Sequence, residues 1–317
     1  RRLSAWLLSP GLGWLLVFLV LPCVLVLVYS FVERGAYGGI DWVFSWENYQ
    51  RAFDPLYLGI VLKSAKIAGL ATLFAVLIGY PAAYAIARAP RRRQAVYLFL
   101  VMLPFWSNYL IRTYAWIVLL NREGLFNRLL QLFGYSGEPI NLLYTEASVI
   151  LGLVYNYIPF VILAIFSSLS RINNELWDAS RDLGASGWMT FRRIILPLSV
   201  PGIAAGSVFV FVLSIGNFIT ADLLGGKQVQ MVGNLIYSQF LTARDWPFGA
   251  ALSFFLIAIM LILLFIQALV ARHESLRTVF SEENGQALQR ILPQQPFSLH
   301  RLDLEGHSPE QVAAQRE

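Results

Sequence analysis

Few groups able to do chemistry stand in the long apolar runs of this chain, and their spacing is helical. Ser148, Gly152, Asn156 and Pro159 recur at i, i+4, i+8 and i+11, the spacing of one helix face. Gly206, Leu213, Asn217 and Thr220 mark a second run, with Asp222 just beyond, and Pro104, Asn108 and Arg112 mark a third. Amides, hydroxyls and an arginine in such surroundings have two uses. They line a polar path, or they pack helix on helix through small residues. Neither use makes or breaks a bond. No Gly-x-x-x-x-Gly-Lys-[Ser/Thr] phosphate loop occurs, because Gly225-Gly226-Lys227 continues into Gln228. The runs hold no histidine and no paired carboxylates, and no Cys/His cluster offers a metal site. An enzyme is a poor reading, and no cofactor is expected on this chain.

The elements that must position these residues are membrane helices. Of the 317 residues, 57% are hydrophobic and 14% charged, with a mean hydropathy of +0.60. Soluble domains carry about 25% charged residues. Six stretches reach the roughly 20 apolar residues a bilayer requires. They are Gly11–Val32, Ile67–Ala87, Ala95–Asn121 (interrupted by Arg112), Ala147–Ser170, Leu196–Ala221 and Trp246–Ala271. Pro22, Pro81, Pro104 and Pro159 are compatible with membrane helices, where neighbours satisfy the freed carbonyls. The alternation of a membrane barrel is absent. The expected fold is all-α, polytopic, with six transmembrane helices in a domain spanning 1–272. Arg1 and Arg2 precede the first run, but its apolar core exceeds the ~7–15 residues of a signal peptide and no clear Ala-x-Ala site follows. A retained anchor is expected. Cys23, the single cysteine, lies inside it and allows no intrachain disulfide.

Orientation follows from the basic residues in alternate loops. Arg1, Arg2, Arg88, Arg91, Arg92, Arg93, Arg171, Arg181, Arg192, Arg193, Arg272 and Arg277 fall on one side. Arg34, Arg51, Lys63, Lys66, Arg122, Arg128, Lys227 and Arg244 fall on the other, in longer loops. The Arg91–Arg93 cluster in a short loop decides the assignment: both termini are expected in the cytoplasm. The net charge of +5 reflects this topology and calls for no nucleic-acid partner. On the far side, Val232, Leu235, Ile236 and Phe240 repeat at helical spacing. A short amphipathic helix is expected there, either resting on the bilayer or dipping into the mouth of a path. From 273 to 317 the composition turns polar, and a largely mobile cytoplasmic tail is expected. His300 and His307 are read as solvated.

Between the fourth and fifth runs the chain spends about twenty residues on a cytoplasmic elbow, about 172–197. Ile172, Leu176, Ala179 and Leu183 form an apolar stripe, with Asn174, Glu175, Asp178, Arg181 and Asp182 on the remaining surface. Gly184 ends this helix, Ser186 caps a second that carries Trp188, Phe191 and Ile195, and Pro197 opens the next span. The expected elbow folds its apolar stripe against the membrane domain and shows its charges to the cytoplasm. Arg192 and Arg193 would suit lipid headgroups, but Asp178 and Asp182 would be repelled there, so a protein partner fits better.

Asp178-Ala179-Ser180, three residues, Gly184, nine residues, then Ile194-x-Leu196-Pro197 resembles the "EAA" loop of binding-protein-dependent ABC importers. Asp178 stands for the usual Glu and Ser180 for the second Ala. Leu110–Trp116 (LIRTYAW), Asp222–Gly226 (DLLGG), Gly233–Leu241 and Arg244–Ala250 are similar to the spermidine/putrescine permeases of that family. The likeness covers roughly Gly11 to Arg272. It implies the type I ABC importer permease fold in a bacterial inner membrane. It implies that Asp178, Ala179, Ser180, Gly184, Ile194, Leu196 and Pro197 couple the chain to a cytoplasmic ATPase dimer, which supplies ATP and Mg. A second, related permease subunit and an external solute-binding protein complete the assembly, and Lys63 and Lys66 would meet the latter. Polyamines are the implied solute; an opine, phosphonate or thiamine is the alternative. A secondary transporter would want mid-bilayer charges or an inverted repeat with broken helices, and neither is evident.

A polyamine stripped of water needs carboxylates and aromatic faces. The expected path residues are Asp222, Asn156, Asn217, Asn108, Tyr155 and Tyr157, with Tyr109 as a further aromatic partner. Asp222 has a competing use as the ion-pair partner of Lys227 or Arg244. Arg112 is expected to face protein and to pair with Glu146 or Asp222. Unpartnered on the path, it would favour an anionic or zwitterionic solute.

Overall fold

A computed structural model of the chain describes residues 10–11, 13–172, 175–283 and 286–291. Side chains are described as far as Phe265, except those of Trp177, Asp178 and Leu263. Arg1, Arg2, Asn174, His300 and His307 therefore lie outside the described residues, as does the side chain of Asp178.

In chain order the elements are α1 (Leu21–Tyr29, preceded by a π-helical turn at Leu16–Val20), a hairpin of β1 (Val32–Arg34) and β2 (Ile40–Phe44), and α2 (Glu47–Ala52). Next come α3 (Pro55–Arg88), α4 (Arg91–Met102), α5 (Tyr109–Leu120), α6 (Leu125–Leu132) and α7 (Glu146–Leu169). The elbow holds α8 (Glu175–Asp182) and α9 (Gly187–Thr190). Then follow α10 (Leu196–Ile215), α11 (Val232–Leu241) and α12 (Trp246–Arg277). The residues from Ala268 onward form a separate compact unit. It contains the antiparallel hairpin β3 (Thr278–Glu283) and β4 (Gln286–Ile291), paired from Glu283↔Gln286 to Thr278↔Ile291. Neither hairpin was foreseen from the sequence.

Three described helices are long and apolar enough to cross a membrane: Pro55–Arg88, Glu146–Leu169 and Gly187–Ile215. Gly13–Tyr29 and Trp246–Ile262 are shorter apolar helices. The third apolar run is not one straight helix, contrary to expectation. α4 passes through a 3-10 turn at Leu103–Trp106, and the chain bends by 84° before α5. Pro104 cannot donate to an α-ladder, Ser107 is extended, and Asn108 restarts the helix by accepting the Leu110 N–H at 2.8 Å. Counting that bent pair as one span gives four.

α3, α7 and α10 pack into the core. Asp54 caps α3, accepting from the Leu56 N–H at 2.9 Å, and Pro55 occupies its first turn. Its buried face is Ile67, Ala68, Ala71, Ala75, Gly79 and Ala83, small enough for close approach. α10 comes closer still to α7. A Cβ on Gly202 would lie 2.5 Å from Ser168 Cβ and 2.8 Å from the Ala164 carbonyl oxygen. On the face of α7 that raised two readings, Ser148 donates to the Leu224 carbonyl at 2.9 Å, and a Cβ on Gly152 would meet Leu224 at 2.5 Å. Those two positions are packing.

α11 is the expected short helix, and it packs on protein. Val232 and Leu235 are buried, the Val232 N–H donates to Ser64 Oγ at 2.8 Å, and Asn234 Nδ2 donates to the Phe218 carbonyl at 3.0 Å.

Candidate functional site

At the end of the core away from the elbow, a polar cluster is assembled from three separate elements. α10 ends at Ile215, and Asn217 starts the following turn by accepting the Thr220 N–H at 2.8 Å. That bond fixes the amide plane. Its Nδ2 then donates to both the Tyr109 and Tyr157 hydroxyls, each at 2.6 Å. Tyr109 OH is also hydrogen-bonded to Thr220 Oγ1. Tyr109 opens α5 immediately after the bend, and Tyr157 projects from α7. One amide thus ties together the bent third run, the middle of α7 and the chain beyond α10, with Thr220 buried among them.

The other expected path residues do not join this cluster. Asn108 is exposed and serves as the α5 cap. Tyr155 turns away, edge-on to Trp116 with ring centroids 5.4 Å apart. Asn156 is 1% exposed, and neither atom of its amide has a hydrogen-bond partner among the described residues. Asp222 lies exposed in a π-helical turn, Ala221–Gly225, with no ion pair to Lys227 or Arg244 among the described residues.

Arg112 corrects an expectation. It is 8% exposed and faces protein, but Glu146 is not its partner. That carboxylate is taken by Lys66 at 2.9 Å and Lys63 at 3.6 Å, from the N-terminal part of α3. The guanidinium lies instead over Phe105 and Tyr109, 5.4 and 5.8 Å from their ring centroids. Aromatic faces replace the carboxylate as its electrostatic partner.

At the other end, the elbow is built from local turn chemistry. Gly184 takes φ +77, its N–H donates to the Arg181 carbonyl at 2.8 Å, and the Ala185 N–H reaches the Ser180 carbonyl at 3.0 Å. This paired closure is a Schellman motif, open to glycine because no Cβ obstructs the left-handed backbone. Ser186 caps α9 by accepting from the Met189 N–H at 3.3 Å. Ser180 and Thr190, 4% and 2% exposed, share a hydroxyl hydrogen bond of 2.9 Å that pins α8 to α9. The elbow then keys into the membrane core. The Phe191 ring meets Tyr80 and Tyr84 edge-on, Ile195 is fully buried, and Tyr80 OH pairs with Ser199 Oγ at 2.9 Å. From Gly187 to Ile215 the helix is continuous, passing through a π-helical turn at Phe191–Ile195.

Most of the apolar stripe is exposed, contrary to expectation, and the charged Glu175, Arg181 and Asp182 are exposed as well. Ile172 packs on the core, but Leu176, Ala179 and Leu183 are exposed, Leu183 at 88%. Trp188, on α9, is 70% exposed and stacks on Phe191 with ring centroids 5.4 Å apart. Amphipathic spacing reveals that a helix has an apolar face, not which body covers it.

Sequence reasoning missed a clamp at the start of α12. Asp245, 1% exposed, receives Arg51 Nη1 at 2.8 Å and accepts from the Phe248 N–H at the start of α12. Burial would lower the Arg51 pKa, but its bonds to Asp245 and Tyr57 outweigh this and hold it above the ordinary value. Its guanidinium lies 3.9 Å from the Phe248 centroid. Arg34 donates to the Ala243 carbonyl at 2.7 Å, and the Gly39 N–H reaches the Arg244 carbonyl at 3.2 Å, where φ is +51. Arg244-Asp245 stood within a noted motif, but the partners are far away in sequence. No group of three or more metal-ligating side chains occurs among the described residues.

A bundle of apolar helices carrying a braced elbow defines a polytopic membrane permease. Residues 75–275, more than half the chain, match the family described as binding-protein-dependent transport system inner membrane component, and the chain belongs to that family. It is a non-catalytic inner-membrane permease subunit of an ABC importer. Over 254 residues it is 44% identical to the spermidine/putrescine transport system permease protein PotB of Haemophilus influenzae, covering 80% of this chain and 89% of that one. The Escherichia coli PotB is 41% identical, covering 80% and 92%. The Escherichia coli inner membrane ABC transporter permease protein YdcU is 32% identical over 283 residues, covering 81% and 89%. In fold, the chain is similar to one in a bacterial alginate ABC transporter complexed with an alginate-pentasaccharide-bound periplasmic protein. The TM-score is 0.70 at 19% identity, covering 84% of this chain and 92% of that one.

Proposed function

We propose that this permease imports polyamines, spermidine and putrescine, in an assembly with a second related permease, a cytoplasmic ATPase dimer and an external binding protein. Its similarity to PotB permeases over four-fifths of its length carries this reading. In this proposal the membrane domain is residues 1–272 with six spans in the type I importer arrangement, followed by the 273–317 extension, and both termini are cytoplasmic. The exposed Leu176, Ala179, Leu183 and Trp188 surface, with the Asp178–Pro197 segment behind it, receives the ATPase, which binds ATP and Mg. Because the helix runs unbroken from α9 into α10, a push on the elbow tilts the span.

The Tyr109–Tyr157–Asn217–Thr220 cluster is then the closed outer gate. Its hydroxyls and amide satisfy one another while shut. Parted, they offer oxygen acceptors and aromatic faces to an ammonium group arriving past exposed Asp222. Arg112 is buried against rings, so it does not argue for an anionic solute. Uptake of radiolabelled spermidine and putrescine by cells lacking the gene tests the reading. The natural chain restores uptake and Asp178→Arg does not. Undiminished uptake in the deleted cells, with no redundant importer present, overturns the solute assignment.

A further inference from the structure

α6 (Leu125–Leu132) is amphipathic in the reverse sense. A helix on a water-facing protein surface buries its apolar side and shows its polar one. On α6 the buried side chain is Asn127, 3% exposed. Its Nδ2 donates to the Arg122 and Ile140 carbonyls at 3.0 and 2.9 Å, and its Oδ1 accepts from the Ile140 N–H at 2.9 Å. One amide thus latches α6 to the turn before it and to the returning chain after it. Leu125, Phe126, Leu129, Leu132 and Phe133 are left on the open side, all exposed, the last two at 79% and 86%. At about 100° per residue they fill one arc of the helix.

Two observations point to what covers this arc. The first is its level. Gly124 joins α6 to α5 without slack, since a Cβ there would lie 2.5 and 2.6 Å from the Leu119 and Val118 carbonyl oxygens. α5 is the second limb of the bent pair, which is long and apolar enough to cross a membrane when both limbs count together. Its own exposed face, Ile111, Tyr114 and Val118, is apolar. α6 therefore begins where a membrane limb ends. The second is charge. Arg128 is the single charged residue on α6 and has no side-chain partner among the described residues. It stands three residues after Leu125 and four before Leu132, on the flank of the arc.

We propose that α6 lies in the bilayer surface as an interfacial helix, with its apolar arc among the acyl chains and Arg128 at the phosphates of anionic lipids. The Asn127 latch fixes the arc in place beforehand, so docking on lipid requires no ordering of the helix.

Nitroxide accessibility in vesicles tests this. Cys23→Ala leaves the chain without cysteine, so one label at a time can be placed by Leu129→Cys, Leu132→Cys or Gln131→Cys, all at exposed positions. The full chain is reconstituted in phosphatidylcholine with phosphatidylglycerol, and collisions with oxygen and with a water-soluble nickel chelate are measured. Labels replacing Leu129 and Leu132 are expected about 5–10 Å below the phosphates, with oxygen favoured. The label replacing Gln131 is expected in the aqueous phase, with the chelate favoured. Omitting phosphatidylglycerol raises chelate access at Leu132→Cys, and Arg128→Gln removes that dependence on lipid charge. Labels at Leu129 and Leu132 that favour the chelate would place the arc in water and overturn the proposal. Shielding from both reagents would assign the arc to a protein, whether a second copy or an added subunit, and overturn it equally. A lipid-charge dependence that survives Arg128→Gln overturns the role given to the arginine. No transport is read, so failure here leaves the polyamine assignment untouched, and the reverse holds as well.

Discussion

The tyrosine–asparagine cluster and the elbow, at opposite ends of the core, treat polar and apolar groups in opposite ways. The cluster is polar and inward-facing. Asn217 spends its amide on Tyr109, Tyr157 and Thr220, leaving nothing for an outside partner in this arrangement. The elbow hides its polar bond, Ser180 to Thr190, and turns its apolar side chains outward. A satisfied polar cluster inside and an unsatisfied apolar surface outside distinguish a gate from a docking face. In the proposed function the first releases when its members part, and the second is completed by the ATPase.

The largest effect expected from breaking this contrast lies at the docking face. Leu183→Glu places a charge where, in the proposed function, an apolar anchor meets the ATPase, and losing such an anchor costs about 2 kcal/mol or more of binding. Uptake should fall more than tenfold and ATPase co-purification should fail, with an unchanged melting temperature because Leu183 is 88% exposed. If melting drops in step with uptake, the face is packing rather than docking. Next, Gly202→Val probes the rigid core between the two regions. With backbone and Cβ atoms of α7 within 3 Å of the new group, overpacking should cost about 1–3 kcal/mol, read as a lowered melting temperature.

At the gate, Asn217→Leu removes the shared amide and leaves two tyrosine hydroxyls seeking partners, at about 1–2 kcal/mol in all. A thiol reagent should then reach a cysteine placed at Ser214, one turn inward, faster than in the parent carrying the same cysteine. Equal rates would mean that the cluster staples helices without gating them. The smallest effect belongs to the elbow brace. Ser180→Ala restores the family's usual alanine and loses one buried hydroxyl pair, costing about 1 kcal/mol. Uptake should persist, because the Schellman turn still sets the corner.

The same contrast explains what the sequence disclosed. The corner of the elbow was legible residue by residue, since Gly184 and Ser186 act within a few positions of themselves. Pro197 does not open a new span but lies inside the helix that runs unbroken from Gly187 to Ile215. The facing of the elbow was not legible, because a stripe such as Leu176–Leu183 looks the same whether the core or a partner covers it. The apolar runs announced the helices, but the bend at Ser107–Asn108 was masked, as proline is tolerated in membrane helices and Pro104 therefore predicted no break. The gate was half legible. Tyr109, Tyr157 and Asn217 were identifiable by type, but Tyr155, Asn108 and Asn156 were equally eligible, and only the packing of three elements selects among them. The Arg51–Asp245 clamp joins residues separated by most of the chain, and no local pattern encodes such a pair.

The π-helical turn between elbow and span has a rotational consequence. An α-helix advances about 100° per residue, and a π turn absorbs one residue beyond the α count without breaking the rod. That extra residue sets the azimuth of Trp188 and the elbow surface relative to the faces of α10. Deleting one residue within Phe191–Ile195 would let the turn relax to α geometry. Because the turn already absorbs that residue, the elbow surface would keep roughly its azimuth, whereas the same deletion within α10 would swing it by about 100°. The turn works as a phase adjuster, joining an exposed apolar surface to an apolar helix in one rod.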